Sequence, residues 1–434
     1  MNRFDQHGRF IFEDFNRKRP FSSFLPGIAG LHGIPMWVFY GNRGQGVCSF
    51  GVENKDHPIL EFQAANKAYQ ITARTGFRTF LRGSRGGQQW RQEAFSPWDA
   101  ENVQRTMFIG KNEFEIQETH TKLGYQINVL YFMLPNTPFS GLVRRVSFTN
   151  LLDSPLNLEV LDGLPGIVPY GVDNGALKNI SRTIEAWMHV ENLENNMPFY
   201  RLKATPGDTA DVRAIRSGNY GLAFHDGKRL VPVADPSVIF GLDTSHDAPH
   251  HFYEEGLQSV LEATQVLEGR TLCAFFGTTL SLEPEETQTI TSLYGYSASL
   301  PMLSSRARAM ESPSYFDQKL QEARALTQDL TGSIQTESSS AEFDGYARQT
   351  FLDNLVRGGY PIRLDDQQIY HVYSRKHGDI ERDYNYFVIP PEFYSQGNGN
   401  YRDVNQNRRN DVFFVPQAGE FNIRTFMSLI QADG

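Results

Sequence analysis

Apolar and polar residues alternate through most of residues 36–300, and this pattern restricts that part of the chain to extended strands. The clearest case is residues 114–121, which alternate, turn at Gly124 and return over residues 125–134. This spacing predicts a long β-hairpin. No pattern typical of a long amphipathic helix interrupts the region. We therefore expect antiparallel sheets that pack as a large β-sandwich.

Other segments of the same region also have strand patterns. Two of them, residues 142–150 and 156–162, are separated by a short connection that contains Pro155, and we expect them to pair as a second hairpin. Further strands are predicted at residues 36–40, 272–279 and 286–296.

The hydrophobic period changes from two to about three and a half after Pro301. A helix is predicted to start near Ser312 and Pro313, with apolar residues at helical spacing: Tyr315, Phe316, Leu320, Ala323, Leu326, Leu330 and Ile334. A second helix follows the serines at 338–340, with one apolar stripe and a stop at Gly358 and Gly359 (Phe343, Ala347, Phe351, Leu355). Residues 421–429 are expected to begin another helix or strand.

These patterns predict a multidomain β + α protein. Its parts are an entry segment (1–35), a β-sandwich domain (36–300), a helical linker (301–340) and the beginning of a helical domain (341–434). A helical domain that stopped at residue 434 would expose its apolar stripe. We therefore expect this sequence to be the N-terminal portion of a longer protein.

Composition excludes several classes of protein. The chain has 434 residues, a hydrophobic fraction of 40% and a net charge of −9, which together argue for a globular protein without a nucleic-acid partner. Its two cysteines, Cys48 and Cys273, have apolar neighbours and are expected to be buried free thiols. No apolar run suits a signal peptide or a membrane span, so a cytoplasmic location is the expectation.

The polar stretch at residues 370–411 is the main candidate for a functional site. It holds five arginines, one lysine, two histidines and several amides and carboxylates, and glycines at 397 and 399 break regular structure. Forked guanidinium donors suit phosphate, and paired donors and acceptors suit sugar hydroxyls. A solvated surface loop is the alternative interpretation of the same composition.

Other motifs give weaker evidence for a functional site. His246, His250 and His251 lie near Asp243 and Asp247, but their spacing fits no metal-ligand pattern, so no metal site is predicted. Gly397-Asn398-Gly399 is not followed by the residues of a phosphate loop, and no nucleophile motif occurs. The carboxylates of the polar stretch lie among cations, which favours their ionised form and a role in binding rather than proton donation.

The polar stretch resembles the cellobiose-phosphorylase-like enzymes through Arg402-Asp403-Val404-Asn405-Gln406. Within that superfamily it is similar to the large β-1,3-glucan phosphorylases, on residues 374–379, 381–383 and 397–409. The resemblance implies that residues 341–434 begin an (α/α)6 barrel. It also implies inverting phosphorolysis of β-glucan oligosaccharides, in which inorganic phosphate is the co-substrate, no other cofactor takes part and the product is α-glucose 1-phosphate.

The resemblance also implies roles for individual residues. Arg402 and Asp403 would contact the glycosyl unit, with Gln406 and Asn407 beside them and Arg375, Lys376 and His377 as further substrate contacts. Phosphate would be bound by Arg408 or Arg409.

Relatives that cleave disaccharides often have Gln-Asp where this chain has Gln406-Asn407, which leaves the preferred substrate open. The family's catalytic acid lies in a Trp-Asn-Asp motif that this sequence lacks, so the acid is expected beyond Gly434 and the chain alone is expected to be inactive. Family relatives also imply a homodimer.

Two other functions fit the same patterns. The first is a carbohydrate-binding sandwich without catalysis, which an exposed Trp37, Trp90, Trp98 or Trp187 would favour and buried tryptophans would disfavour. The second is a glycoside hydrolase with a similar sandwich and barrel, which independence from phosphate would distinguish.

Overall fold

The computed structural model describes residues 3–98, 101–206, 213–365, 368–373, 405–406 and 408–432. Twenty-one strands are present in these ranges. They are β1 (Phe10–Glu13), β2 (Ser22–Leu25), β3 (Trp37–Gly41), β4 (Val47–Gly51), β5 (Pro58–Leu60), β6 (Arg78–Arg85), β7 (Gln88–Glu93), β8 (Val103–Ile109), β9 (Glu113–His120), β10 (Tyr125–Met133), β11 (Leu142–Asn150), β12 (Leu156–Ile167), β13 (Met188–Glu191), β14 (Phe199–Leu202), β15 (Gly218–His225), β16 (Lys228–Arg229), β17 (Pro232–Val233), β18 (Leu272–Leu282), β19 (Thr287–Ser297), β20 (Tyr360–Arg363) and β21 (Ile369–Val372).

Most helices in the strand-rich part of the chain are short, and the two longest described helices follow it. The α-helices of the described ranges are α1 (Ala65–Thr75), α2 (Asn174–Asn179), α3 (Ser237–Phe240), α4 (His250–Glu255), α5 (Leu257–Glu262), α6 (Leu300–Ala307), α7 (Tyr315–Thr331), α8 (Ala341–Gly358), α9 (Asp411–Phe414) and α10 (Phe421–Ser428). None of these described helices combines the length and the apolar character needed to cross a bilayer.

The strands form an antiparallel β-sandwich, as the sequence predicts. One sheet has ten strands in the order β1-β8-β9-β10-β11-β19-β15-β14-β13, with β16 beside β15. The second sheet has the order β17-β18-β12-β6-β7, and a four-stranded sheet has the order β2-β3-β4-β5. The main core lies between these sheets and includes Ile116 and Val146 of the first, Val160 of the second and Phe50 of the third. Cys48 and Cys273 are buried free thiols, which confirms that prediction.

The predicted hairpin at residues 114–134 is confirmed. β9 and β10 are antiparallel, with Ile116 opposite Val129 and Phe114 opposite Tyr131. Alternate residues of both strands are buried, because their other face is turned away from the core.

The predicted hairpin between residues 142–150 and 156–162 is wrong. Both segments are strands, but β11 pairs with β10 and β19 in the ten-stranded sheet, whereas β12 pairs with β18 and β6 in the other sheet. The connection crosses from one sheet to the other, and the Asn150 side chain donates to the carbonyls of Ser154 and Leu282 at this corner. Alternation indicates which face of a strand is buried but not which strand lies beside it.

The expectation that no long helix interrupts the strands is also wrong, because α1 has eleven residues. Its buried residues are Ala68 and Thr72, one turn apart. The helix is amphipathic, but its buried side chains are small and its overall apolar content is low, so the sequence analysis did not identify it.

A buried ion pair joins the two main sheets. Arg144 of β11 donates to Asp162 of β12, and Thr79 of β6 donates to the same carboxylate at 2.5 Å. Arg144 also donates to Gln45 and to the Tyr131 hydroxyl. Burial raises the pKa of Tyr131 to about 12, so its hydroxyl stays protonated in this network. These bonds satisfy polar groups that would otherwise be unpaired in the core.

The predicted helices after Pro301 are confirmed as α7 and α8. α6 and α7 cover the outer face of the ten-stranded sheet, where Leu303, Phe316 and Leu320 pack against Val143 and Leu293. α8 packs against the end of α7 through Leu352, Leu355 and Val356. The segment at 421–429 forms a helix, α10.

Candidate functional site

The two described flanks of the polar stretch meet at the carboxylate of Asp411. One flank is the hairpin of β20 and β21 with Tyr373, and the other is formed by the described residues from Asn405 onward. His371 of β21 places Nε2 3.4 Å from Asp411 Oδ2, and Arg408 donates from Nη1 to the same oxygen at 2.9 Å. Asn422 of α10 also donates to it, at 2.8 Å. The described residues on the two sides of the polar stretch therefore meet in one polar cluster.

Arg408 lies inside this cluster and is 3% exposed. Its Nη2 donates to the Gly359 carbonyl at 2.8 Å, just after α8 ends, and its own carbonyl accepts from Asn422. Burial lowers the pKa of Arg408, and Asp411 opposes that shift. An arginine remains charged in such a setting, so the ion pair with Asp411 compensates its burial.

His371 is a titratable group of the same cluster. Burial lowers its pKa below the usual range, and the charge of Arg408 acts in the same direction, whereas Asp411 opposes both. The ring is therefore neutral near pH 7. Its 3.4 Å separation from Asp411 does not meet hydrogen-bond geometry, and Nε2 has no hydrogen-bond partner among the described residues.

A cavity of about 320 Å³ opens beside the cluster, between α8, the start of β20 and α9. Its wall combines aromatic rings with amide, hydroxyl and carboxylate groups: Phe343, Tyr346, Phe351, Phe414, Thr350, Asn354, Asn410 and Asp411. Tyr346 and Phe343 are 70% and 55% exposed. Rings of this kind cover the apolar face of a sugar, and amides and carboxylates pair with its hydroxyls.

The sequence-predicted site residues are only partly described. Arg375, Lys376, His377, Arg402, Asp403 and Asn407 lie outside the described residues. Gln406 and Arg409 are exposed, whereas Arg408 is buried. Of the two arginines predicted for phosphate, Arg408 already donates to groups of the chain and Arg409 faces solvent.

The four tryptophans have different environments. Trp37 is buried and donates to the carbonyls of Val52 and Asn54. Trp90 stacks on Tyr125 within the sandwich, and Trp187 is partly buried against a small apolar cluster. Trp98 is 92% exposed, so it alone of these four rings presents most of its surface to a ligand.

The histidine segment at 243–251 is held by its own contacts. Asp243 accepts from the backbone amides of Ser245, Asp247 and Ala248, and these bonds together with the Ser245 hydroxyl lower its pKa to about 2. His246 stacks on Phe240 at 4.5 Å. In the described ranges, no three His, Cys, Asp or Glu side chains form a group that could hold a metal ion.

Sequence analysis did not identify Asp411, His371 or Asn422 as the residues that join the flanks. Asp411 and His371 belong to the polar stretch, so their residue types were visible, but their contacts cross between hairpin and helix. Asn422 lies in a short helix whose sequence gives no indication of a polar contact.

No family model matches the chain, and no curated protein matches it. Solved structures with some similarity include a bacterial glucoamylase complexed with acarbose, with 8% identity, 95% of this chain covered and a TM-score of 0.40. A protein from the human microbiome assigned as a kojibiose phosphorylase has 9% identity, with 79% of this chain covered and a TM-score of 0.25. A polysaccharide lyase has 12% identity, with 61% of this chain covered and a TM-score of 0.31. The chain spans 53%, 32% and 32% of these three structures. At such identities and TM-scores, function has to be argued from the residues of this chain.

Proposed function

We propose that this chain supplies the sugar-binding part of an inverting glycoside phosphorylase. Its substrates would be β-glucan oligosaccharides and inorganic phosphate, and its product α-glucose 1-phosphate. The observation that carries the proposal is the Asp411 cluster, which joins both flanks of the polar stretch beside an aromatic cavity. Residues 341–434 would be the first elements of an (α/α)6 barrel in this account.

Roles within the polar stretch follow from its chemistry. Arg402 and Asp403 would bind hydroxyls of the glycosyl unit, because a guanidinium donates and a carboxylate accepts. Gln406 and Asn407 would bind neighbouring hydroxyls. Arg375, Lys376 and His377 would contact further units. Phosphate is assigned to Arg409, because the Arg408 guanidinium is engaged by Asp411 and Gly359.

The proposed reaction needs one proton donor. A phosphate oxygen attacks the anomeric carbon from the face opposite the leaving group, the glycosidic C–O bond breaks, and the leaving oxygen takes a proton from a carboxylic acid. Phosphate replaces the base-activated water of an inverting hydrolase. No residue of this chain is assigned as the acid.

A non-catalytic carbohydrate-binding sandwich is the second candidate, and the exposure of Trp98 favours it. An exposed indole would stack on a sugar without help from the polar stretch. The other tryptophans pack within the protein and do not support this alternative.

Titration calorimetry with laminaritriose and cellotriose tests the ligand class. We expect the chain to bind at least one of these trisaccharides and to bind maltotriose, the α-linked control, more weakly. Absence of binding to both β-glucans would contradict the proposal. In an assay of oligosaccharide cleavage by the full-length protein, activity that does not require phosphate would assign the hydrolase instead.

A further inference from the structure

A second cleft, of about 810 Å³, lies on the other side of α8. Its walls are the N-terminal segment around Phe4 and Phe10, the turn at Gly110 and Lys111 between β8 and β9, and α8 itself. Phe343 and Tyr346 of α8 line this cleft as well as the cavity near Asp411. A volume of this size accommodates a small organic ligand.

Two cations of the cleft, Lys111 and Arg348, form no close ion pair within the described ranges. Lys111 takes part in no hydrogen bond or ion pair within the described ranges, and Arg348 Nε is shielded from solvent without a hydrogen-bond partner. Glu342 is the one carboxylate among the described residues of the lining. A buried donor without an acceptor is costly, so such a group calls for an explanation.

The nearby carboxylates outside the lining are engaged elsewhere. Glu113 accepts from Arg324 at 2.8 Å and lies 3.8 Å from Arg9. Asp344 accepts from the Thr336 hydroxyl and the Ser338 amide, and these bonds, together with a weaker attraction from Arg348, lower the pKa of Asp344. Burial lowers the pKa of Lys111, and the charge of Arg348 lowers it further, against a weaker attraction from Glu113. An anion between Lys111 and Arg348 would remove this repulsion.

We propose that this cleft binds a phosphomonoester carried on a ring, with the phosphate at Lys111 and Arg348 and the ring against Phe343 and Tyr346. Phosphate fits two cations better than a carboxylate does, because it carries a charge of about −1.5 to −2 near neutral pH. A sugar phosphate and a nucleoside monophosphate share this chemistry. The two cavities share Phe343 and Tyr346, but the phosphate contacts at Lys111 and Arg348 belong to this cleft alone, so the proposal does not rest on the proposed oligosaccharide site.

Calorimetry with glucose 6-phosphate and with AMP, each against its unphosphorylated counterpart, tests the proposal. We expect at least one phosphate ester to bind and glucose and adenosine to bind far more weakly. Preference between the two esters would identify the ring. Failure of both esters to bind, or equal binding of the unphosphorylated compounds, would overturn the proposal.

Variants assign the binding to the cleft. Lys111→Gln and Arg348→Gln should each weaken binding at least about tenfold, the effect of one charged hydrogen bond. Arg348→Lys, which keeps the charge but loses the Nε donor, should fall between Arg348→Gln and the wild type. Lys122→Gln and Arg182→Gln remove the same charge at exposed positions and should bind as the wild type. Circular dichroism of each variant verifies the fold.

The phosphate site proposed at Arg409 needs a separate variant. Arg409→Gln should leave binding of the esters unchanged if the cleft holds them. Loss of ester binding in Arg409→Gln, with retention in Lys111→Gln and Arg348→Gln, would overturn the cleft proposal and leave the proposed phosphorylase intact.

Discussion

Buried Arg408 and partly buried Asp411 form an ion pair, with 2.9 Å between Nη1 and Oδ2, one helical turn apart in sequence. The pair is joined by Asn422 and by the Gly359 carbonyl, so it connects α8, α9 and α10. His371 brings the β20–β21 hairpin to the same carboxylate. The local stability of this region should therefore depend on Asp411.

Asp411→Ala should lower the free energy of local unfolding by about 3 kcal/mol, because it leaves the charge of Arg408 buried without a partner. Amide hydrogen exchange in the β20–β21 hairpin and at the end of α8 measures this change. Glu420→Ala breaks the exposed pair of Glu420 and Arg424 and is the control, with an expected loss of less than about 1 kcal/mol. Equal effects of the two variants would contradict the role of Asp411.

Gly359→Ala should destabilise the end of α8 by about 1–3 kcal/mol. Gly359 has φ 84° and ψ 161°, a conformation that is essentially restricted to glycine. Gly332 is the matched control: it follows α7 with φ −63°, and an added Cβ meets no atom within 4 Å. Gly332→Ala should be neutral or slightly stabilising. Chemical denaturation of both variants checks the difference, and an unchanged midpoint for Gly359→Ala would refute the argument.

The stability of the protein should fall as pH decreases below about 6.5, partly because of His371. Burial keeps the native ring neutral, so the unfolded state takes up a proton at a higher pH than the native state does. The contribution of His371 is complete above pH 6.5 and is lost as pH falls toward the depressed native pKa. Denaturation between pH 7 and 5.5 should show a weaker pH dependence in His371→Gln.

Part of that pH dependence should remain in His371→Gln, since burial also lowers the pKa of His246. Identical profiles for the wild type and His371→Gln would show that the ring carries no such linkage.

Local sequence patterns predicted the individual strands and helices of this fold better than they predicted which strands lie side by side. Hydrophobic period and turn residues predicted the β9–β10 hairpin and α7, because the backbone hydrogen bonds of these elements join residues that are close in sequence. One partner of β12 is β18, more than a hundred residues later, and the other is β6; alternation alone does not specify such pairings. α1 was not predicted, because its buried side chains are small.

From the sequence, the candidate site could be predicted only as a stretch of suitable composition, without its contacts. The richness in arginine and amides located residues 370–411, yet the sequence did not distinguish the buried Arg408 from the exposed Arg409. That difference depends on the Gly359 carbonyl and on Asn422, which lie in other elements. The cleft at Lys111 and Arg348 had no sequence pattern, because its cations are 237 positions apart.

Laminaritriose affinity, measured by calorimetry for the wild type, Asp403→Asn and Trp98→Ala, tests the central claim most directly. If the polar stretch binds the sugar, Asp403→Asn should weaken affinity at least about tenfold through loss of a charged acceptor, and Trp98→Ala should bind as the wild type. Unchanged affinity in Asp403→Asn together with lost binding in Trp98→Ala would contradict the claim and assign the sugar to the exposed indole of the sandwich.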